Sequence, residues 1–412
     1  MRITMAAAGL AGLLVLTACG SGSEPAATGP ATLRMTIWTG NAEHLSLLNS
    51  IADEYKKTHQ DVAAIKFDTL PIENYTTTLT TQIAGGNAPD LAWILENSAP
   101  DFVGSGALAP LNNLVQPEQL APATTKLWQQ EGKLYAYPFS TSPFGVFVNL
   151  DLLKQAGQKP PKAGWTWEQA IAAAAAVNKE SGKAGLVVRD FDYKGWDNLA
   201  TVWGGWGAEA WSEDGRTCGF AKPEMVEAMT FLHKAIFTDK ALPAPGSTAD
   251  FFAGEAGMTI TQISRASLLK DATFKWDLIP LPTGPKGAYS VIGQAGIGVI
   301  KKSPNAAKAA DFLSFLSNPD NSAKLGQYFP PPRTQLLTAE SLGKSNPLLK
   351  PEQLQQVVID GISTGRVKPS HAGQAELAQT VRAQLDQLWQ PGADVTKTLA
   401  GVCTAIQPML AK

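Results

Sequence analysis

The fold is decided by the stretch that opens with Leu33-Arg-Met-Thr-Ile-Trp38 and runs to residue 95. Its first six residues alternate in polarity and favour extended backbone, so they predict a β-strand that ends in a turn at Thr39-Gly40-Asn41. A helix is predicted next, with one apolar face made of Leu45, Leu48, Ile51, Ala52 and Tyr55. Further predicted elements are a strand over 61–68, a helix over 72–84 and a strand over 90–95. Strands that alternate with helices predict an α/β fold with largely parallel sheets.

Helix signals continue through the rest of the chain. Thr166-Trp-Glu-Gln169 has the spacing of a capping box, and Pro223 suits the first position of a second helix. A third helix is predicted to begin at Ser303-Pro304. The chain is predicted to close with three helical stretches, over 351–360, 374–389 and 394–410.

Length and composition favour a large, weakly charged protein with two lobes. The chain has 412 residues, more than a single core usually supports. Lys and Arg number 34, Asp and Glu number 36, and no long run of one sign occurs, which argues against nucleic-acid binding. A chain with 11 Trp and only 17% charged residues suits recognition of a neutral ligand, although each Trp could equally fill a core.

The first residues have the organisation of an export signal. Arg2 precedes an uncharged apolar run over 5–16, which is shorter than the ~20 residues of a spanning helix. The segment Leu16-Thr-Ala-Cys19 resembles the bacterial lipobox, which implies a signal peptide over 1–18 and a lipidated N-terminus at Cys19. Residues 19–32 predict a flexible tether. The alternative is an ordinary signal peptide with an incidental cysteine.

Two cysteines remain, Cys218 and Cys403. Export places them in an oxidising compartment, and neither belongs to a C-x-x-C pair that would favour a metal site. We predict a disulfide between them; two buried free thiols are the alternative.

Several short motifs occur in a fixed order along the chain. They are Gly85-Gly-Asn-Ala-Pro-Asp90, Gly106-Ala-Leu-Ala-Pro-Leu111, Gly132-Lys-Leu-Tyr-Ala-Tyr-Pro138, Val146-Phe-Val-Asn149, Phe251-Phe-Ala-Gly254 with Met258, Ile279-Pro-Leu-Pro282, and the segment from Gly293 to Ile300. In this order they resemble the solute-binding proteins of sugar ABC transporters, the family that contains maltose-binding protein.

The resemblance implies a two-lobed periplasmic-binding-protein fold, in which each lobe is a mainly parallel sheet flanked by helices. The first lobe is expected over 33–142 plus 291–333, and the second over 143–290 plus 334–412. It further implies a ligand cleft at the hinge between the lobes, a transmembrane permease as partner, a monomer, and no metal or cofactor. The four histidines are scattered and indicate no metal site.

Candidate ligand contacts follow from two rules: ligands bind beyond the carboxyl ends of strands, and sugars need planar polar groups and aromatic faces. The predicted contacts are Asn41, Glu43, Glu96, Asn97, Ser142, Phe144, Trp196, Trp203, Gln262, Arg265, Gln294 and Arg333.

Some of these residues have a structural alternative. Glu43 could stabilise only its own helix start, and Glu96 and Asn97 could cap the following turn. Trp203 has the spacing of a core residue. Ser264 stands where the family often has an aromatic residue that stacks on sugar, a difference that bears on the identity of the ligand.

Other functions are weighed against sugar binding. Asp190 and Asp192 could be glycosidase carboxylates, but no catalytic partner can be identified from spacing and two close aspartates usually lie in a solvated loop, so we do not expect an enzyme. A polyamine ligand could use acidic groups such as Glu43, Glu96 and Asp192. An iron complex, a phosphodiester, an oligopeptide, or a sensory role without transport also remain open.

Overall fold

The computed structural model describes residues 29–111, 114–189 and 195–411. The predicted signal peptide, Cys19, most of the predicted tether, Asp190 and Asp192 lie outside these residues.

Eleven strands are described. They are β1 (Ala31–Ile37), β2 (Val62–Thr69), β3 (Leu91–Leu95), β4 (Gln129–Gln130), β5 (Lys133–Leu134), β6 (Ala136–Asn149), β7 (Ala184–Val188), β8 (Ala256–Gln262), β9 (Trp276–Ile279), β10 (Val291–Val299) and β11 (Arg366–Val367).

Fifteen α-helices are described between and after these strands. They are α1 (Ala42–Lys56), α2 (Tyr75–Ala84), α3 (Ala99–Gly104), α4 (Pro122–Thr125), α5 (Leu150–Gln155), α6 (Trp167–Ser181), α7 (Ala200–Trp203), α8 (Pro223–Phe237), α9 (Ala306–Leu316), α10 (Pro319–Leu325), α11 (Ala339–Ser345), α12 (Pro351–Gln353), α13 (Asp360–Thr364), α14 (Gln374–Leu385) and α15 (Val395–Leu410).

The α/β prediction for the start of the chain is confirmed. β1 pairs in parallel with both β2 and β3, so that Met35 lies beside Phe67 on one side and Leu91 on the other. Helix α1 buries Leu48, Ile51, Ala52 and Tyr55, four of the five residues of its predicted face.

Two strands that cross the molecule change the expected sheet. β10 runs antiparallel to β3 and to β6, and β6 continues antiparallel to β8 and β9. The main sheet has the order β2-β1-β3-β10-β6-β8-β7 and is therefore mixed. The parallel pairs come from strand–helix–strand units, whereas the antiparallel pairs come from the strands that cross the middle of the molecule.

Two hydrophobic cores lie on either side of these crossing strands. Tyr137 and Phe139 of β6 pack into one core with β1, β3 and α1. Phe144 and Val146 of the same strand pack into the other, with α6, α8 and α15. We call the parts of the chain packed on these cores the first lobe and the second lobe. The residue boundaries of the lobes stay a prediction.

Most predicted helix starts are found, with one shifted. Thr166 and Gln169 form the capping box of α6, and Pro223 is the first residue of α8. The helix expected at Ser303-Pro304 begins instead at Ala306, after Asn305. The stretch over 351–360 is broken into α12, a π-helical turn over Leu354–Ile359, and the start of α13.

A disulfide joins Cys218 to Cys403 of α15 within the second lobe, with Cα atoms 5.4 Å apart. Among residues 29–111, 114–189 and 195–411, no helix combines the length and the apolar character that crossing a membrane requires.

Candidate functional site

A cavity of about 410 Å³ lies where the two lobes meet at the crossing strands. Strand pairing brings its walls together: Leu95 lies opposite Ala295, Gly293 opposite Ser142, and Phe144 opposite Gln262. We call this cavity the hinge chamber. It lies beyond the carboxyl ends of β1 and β3, where ligands of open α/β sheets bind.

One wall of the hinge chamber is aromatic and belongs to the first lobe. Trp38 follows β1, and its ring lies 6.4 Å from that of Phe139, which lies 5.2 Å from Phe329. His44 packs against Phe329 at 5.2 Å, and burial lowers its pKa despite the opposing charge of Glu43. The imidazole is therefore neutral near pH 7, and the wall offers flat apolar faces.

The opposite wall carries small polar groups from the crossing strands and the second lobe. Ser140 and Ser142 lie on β6, and Gln262 and Ser264 follow along β8. The Ser142 hydroxyl accepts a hydrogen bond from the Ser264 amide at 3.1 Å. This wall offers several donors and acceptors within one cavity.

Gln262 packs directly over the backbone of Gly293 on β10. A Cβ on residue 293 would lie 1.7 Å from Nε2 of Gln262, so the end of the Gln262 side chain would have to move. The glycine therefore allows the position that this side chain has in the chamber.

Arg189 brings a positive charge to the chamber from the end of β7. Its backbone has φ 34°, a value that residues other than glycine rarely adopt. Nη1 of Arg189 lies 3.4 Å from Oδ1 of Asn198. Non-glycine residues with such a positive φ are found mostly at ligand sites, where the surrounding structure holds them in place.

A second cavity, of about 770 Å³, also lies between the lobes. Its first-lobe wall comes from α3 and from 122–130, and its second-lobe wall from 209–213 and 365–370. We call it the side chamber. Its polar lining includes Lys126, Gln129, Gln130, Glu209, Ser212, Glu213, Arg366, Lys368 and Ser370.

A buried ion cluster separates the two chambers. Nζ of Lys368 lies 2.9 Å from Oε1 of Glu96 and 2.7 Å from Oδ2 of Asp197, and the Lys368 side chain is only 5% exposed. Glu96 lines the hinge chamber and Lys368 lines the side chamber. Burial alone would lower the pKa of Lys368, but the carboxylates of Asp197 and Glu96 outweigh it and raise that pKa. Lys368 is therefore charged in this cluster.

Acid unfolding is expected to depend on Asp197. Burial would raise its pKa, but Lys368 outweighs burial and holds the pKa below its usual range. A carboxyl of this kind stabilises the fold above its unfolded pKa of about 3.9 and loses that contribution as pH falls through its lower folded pKa. We expect Asp197→Asn to reduce the free energy of unfolding at pH 7 and to flatten its decline between about pH 5 and 2. Urea unfolding at several pH values measures this, and parallel profiles for wild type and variant would contradict it.

Four predicted contact residues line the hinge chamber: Glu96, Ser142, Gln262 and Gln294. The side chain of Gln294 already has two partners, since its Oε1 accepts from Trp128 Nε1 and its Nε2 donates to the Thr124 carbonyl, both at 3.2 Å. Gln294 therefore shapes the chamber, whereas Gln262 and Ser142 present polar groups to it.

The other eight predicted contacts line neither chamber, and their contact with the ligand stays a prediction. Asn41 caps α1 by accepting from the amides of Glu43 and His44, because a helix start leaves amides unpaired. Glu43 is exposed and accepts from the Tyr328 hydroxyl at 3.2 Å. Asn97 lies in the short turn over 96–98.

Four more of these residues lie in the second lobe and at the hinge. Phe144, Trp196 and Trp203 are core residues, exposed by 1%, 2% and 1%, and Trp196 and Trp203 pack against neighbouring rings. Arg265 is half-buried in the turn over 263–269.

Arg333 also lies outside both linings. It is buried, and it donates to the Ser317 carbonyl at 2.7 Å and to Oε1 of Gln119 at 2.9 Å. These bonds hold the loop after α10 in place, which is a structural role.

The sequence prediction missed several residues of the site: Trp38, Phe139, Arg189, Asp197 and Lys368. Trp38 and Arg189 directly follow strands, so the strand-end rule could have found them. Lys368 lies 171 residues from Asp197, and no local pattern marks that pair. In the described parts of the chain, no three His, Cys, Asp or Glu side chains come together as a metal site would require.

A protein of known structure has the same overall architecture. A solved structure of a cyclic alpha-maltosyl-1,6-maltose binding protein from Arthrobacter globiformis superposes with a TM-score of 0.80 at 19% identity, covering 93% of this chain and 100% of that one. The chain is thus similar in fold to a two-lobed binding protein.

Two relatives are found at the level of sequence. An uncharacterized lipoprotein of Streptomyces antibioticus is 27% identical over 371 residues, which cover 83% of this chain and 78% of the relative. The sn-glycerol-3-phosphate-binding periplasmic protein of Pectobacterium atrosepticum is 26% identical over 314 residues, covering 68% of each chain.

The sequence pattern of one family spans most of the chain. It matches residues 50–351, which contain β2 to β10 and most of the lining of the hinge chamber. The chain belongs to the family of bacterial extracellular solute-binding proteins.

Proposed function

We propose that the chain is the binding component of an ABC importer, that it captures a sugar or oligosaccharide between its two lobes, and that it delivers this ligand to a membrane permease. The observation that carries the proposal is the charge balance of the cleft. The ligand is held by binding alone, without catalysis.

Three of the four described cations along the two chambers form an ion pair, and the fourth, Arg189, lies near a carboxylate. Lys126 pairs with Glu213 at 2.9 Å, and Arg366 pairs with Glu209. Lys368 pairs with Glu96 and Asp197, and Arg189 lies close enough to Asp197 to help lower its pKa. Counting Asp197, which lines neither chamber, the four described cations of the cleft are balanced by four carboxylates. A charged ligand would need an unpaired group of opposite sign, whereas a neutral ligand needs none.

The uncharged groups of the hinge chamber suit a sugar. The half-buried rings of Trp38 and Phe329 present apolar faces to which the C–H face of a sugar can pack, and the buried ring of Phe139 lies behind them. Ser140, Ser142, Gln262 and Ser264 supply hydrogen-bonding groups for hydroxyls. A site built this way rejects an analogue that lacks a hydroxyl, because a buried polar group is then left unpaired.

Two alternative ligands fit less well. A polyamine would need free carboxylates, but Glu96 is paired with Lys368 and Glu43 lies outside the chamber lining. A phosphate ester, such as the glycerol phosphate that the Pectobacterium relative is named for, would need free cations. Lys126, Arg366 and Lys368 are already paired, and Arg189 lies near the carboxylate of Asp197.

The cellular setting follows from the N-terminal segment. Residues 1–18 would be removed on export, Cys19 would carry the lipid, and residues 19–32 would tether a monomeric two-lobed body to the membrane. The relative in Streptomyces antibioticus, which is described as a lipoprotein, supports this anchoring. Dual acylation at one residue would hold the protein firmly at the outer side of the membrane.

A melting screen tests the proposed function. The chain without residues 1–19 is heated with neutral mono- and oligosaccharides, spermidine, glycerol 3-phosphate or amino acids. A ligand at 100 times its dissociation constant adds about 2.7 kcal/mol to the free energy of unfolding, a shift that is easily measured. We expect a shift with one class of neutral sugar. A shift with spermidine or glycerol 3-phosphate alone would overturn the sugar proposal.

A further inference from the structure

We propose that Lys368 is a positioning residue that couples the two lobes, because Glu96 and Asp101 of the first lobe hold the segment 366–373 of the second lobe in place. This interlobe latch would set how far the lobes close before any ligand binds. The inference rests on the proposed function only in that lobe closure is what captures the ligand.

The first contact of the latch is the buried ion cluster. Lys368 and Asp197 both belong to the second lobe, and Glu96 reaches them from the end of β3 in the first lobe. Glu96 also accepts from the amide of Gln294 on β10 at 3.2 Å, which fixes its carboxylate at the hinge. Separation of the lobes would break the Glu96–Lys368 pair and leave the Lys368–Asp197 pair intact.

The second contact lies five residues further along each segment. The amide of Gly373 donates to Oδ1 of Asp101 on α3, at 2.7 Å. Gly373 is the N-terminal cap of α14 and has φ 71°, and as glycine it has no side chain with which to cap the helix. Asp101 therefore supplies from the other lobe the acceptor that a helix start needs, and its negative charge is favoured there.

The strength of the latch is a balance of two large effects. Closing removes water from Glu96 and Lys368, which is unfavourable, and their attraction at 2.9 Å offsets this. The bias towards closure is therefore modest and depends on both charges. Without the ammonium of Lys368, the carboxylates of Glu96 and Asp197 would face each other from opposite lobes, and their repulsion would favour opening.

A second ion pair between the lobes provides a matched control. Lys126 lies beside residues packed on the first core and pairs with Glu213 of the second lobe at 2.9 Å. Its side chains are 79% and 88% exposed, whereas those of Lys368 and Glu96 are 5% and 11% exposed. Exposed pairs contribute little, so removing this one should leave the lobe equilibrium unchanged.

The test is small-angle X-ray scattering of the sugar-free protein in the form that lacks residues 1–19. We expect Glu96→Gln to increase the radius of gyration, because the neutral amide no longer attracts Lys368. Lys368→Met should increase the radius of gyration further. The Lys368→Met/Glu96→Gln double variant should have a radius close to that of Glu96→Gln, because the repulsion between the carboxylates of Glu96 and Asp197 is then absent. Lys126→Met should match wild type.

Equal radii for wild type, Glu96→Gln and Asp101→Asn would overturn the proposal, as would an equal increase in the Lys126→Met control. Glu96→Gln leaves the Lys368–Asp197 pair within the second lobe, so it keeps the test valid even where Lys368→Met fails to fold. The measurement uses no ligand. A radius that changes in a protein that binds no sugar would support the latch and count against the proposed function. An unchanged radius in a protein that does bind sugar would count against the latch and support the proposed function.

Discussion

Replacing both Cys218 and Cys403 with alanine should lower the free energy of unfolding by about 5 kcal/mol, the largest single effect we expect. The bond joins residues 185 positions apart, and a cross-link over so long a loop restricts the unfolded chain strongly. It ties α15 to the segment that carries Trp211, which lines the side chamber. Urea unfolding of the double variant and of wild type measures the difference.

Reducing agent provides the control for the disulfide prediction. Dithiothreitol should bring wild type close to the stability of the double variant and leave that variant unchanged. Unfolding curves of wild type that are the same with and without the reducing agent, together with free thiols in a non-reducing peptide map, would contradict the prediction.

Trp203→Ala should lower the free energy of unfolding by about 3–5 kcal/mol. The ring is 1% exposed and packs near Trp196 at 6.4 Å and Phe220 at 5.9 Å, so its removal leaves a cavity that neighbours cannot fill. Urea unfolding measures the loss. Trp276→Ala, at a half-buried ring on β9 outside both chambers, is the control and should lose less.

The same variant separates a core role from a ligand role for Trp203. We expect it to bind sugar with wild-type affinity at a temperature where it is still folded. Weakened binding at unchanged stability would contradict the structure and support the original assignment of Trp203 to the ligand.

The sequence predicted the fold well where the signal is local. β1, α1 and α6 each follow from a periodic pattern or a capping motif within a few residues. The antiparallel course of β10 between β3 and β6 was not predicted, because pairing between residues about 150 to 210 positions apart leaves no local pattern.

The candidate site, too, could be predicted only where its residues belong to a local strand pattern. Glu96, Ser142 and Gln262 lie at strand ends or on a crossing strand, so topology indicated them before the structure did. Lys368 and Asp197 form their cluster only when distant segments meet at the hinge.

Trp196 and Trp203 were predicted to contact the ligand but lie in the core, for a physical reason. Composition cannot separate a ring that faces a cleft from one that fills a core, and the segment rich in Trp and Gly packs tightly. A Cβ on Gly204 would lie 2.7 Å from the ring of Tyr289, which shows how closely this segment is packed. Trp38, by contrast, stands alone at a strand end and lines the chamber.

The central claim is that a neutral sugar binds in the hinge chamber between the lobes. Calorimetric titration of the sugar that gives the largest melting shift tests it directly, with wild type, Gln262→Ala and, as a control, Gln379→Ala on the exposed surface of α14. We predict that the control binds as wild type does and that Gln262→Ala binds at least about tenfold more weakly, the loss of roughly one well-placed hydrogen bond, with an unchanged melting temperature. Equal affinities of all three proteins would contradict the claim.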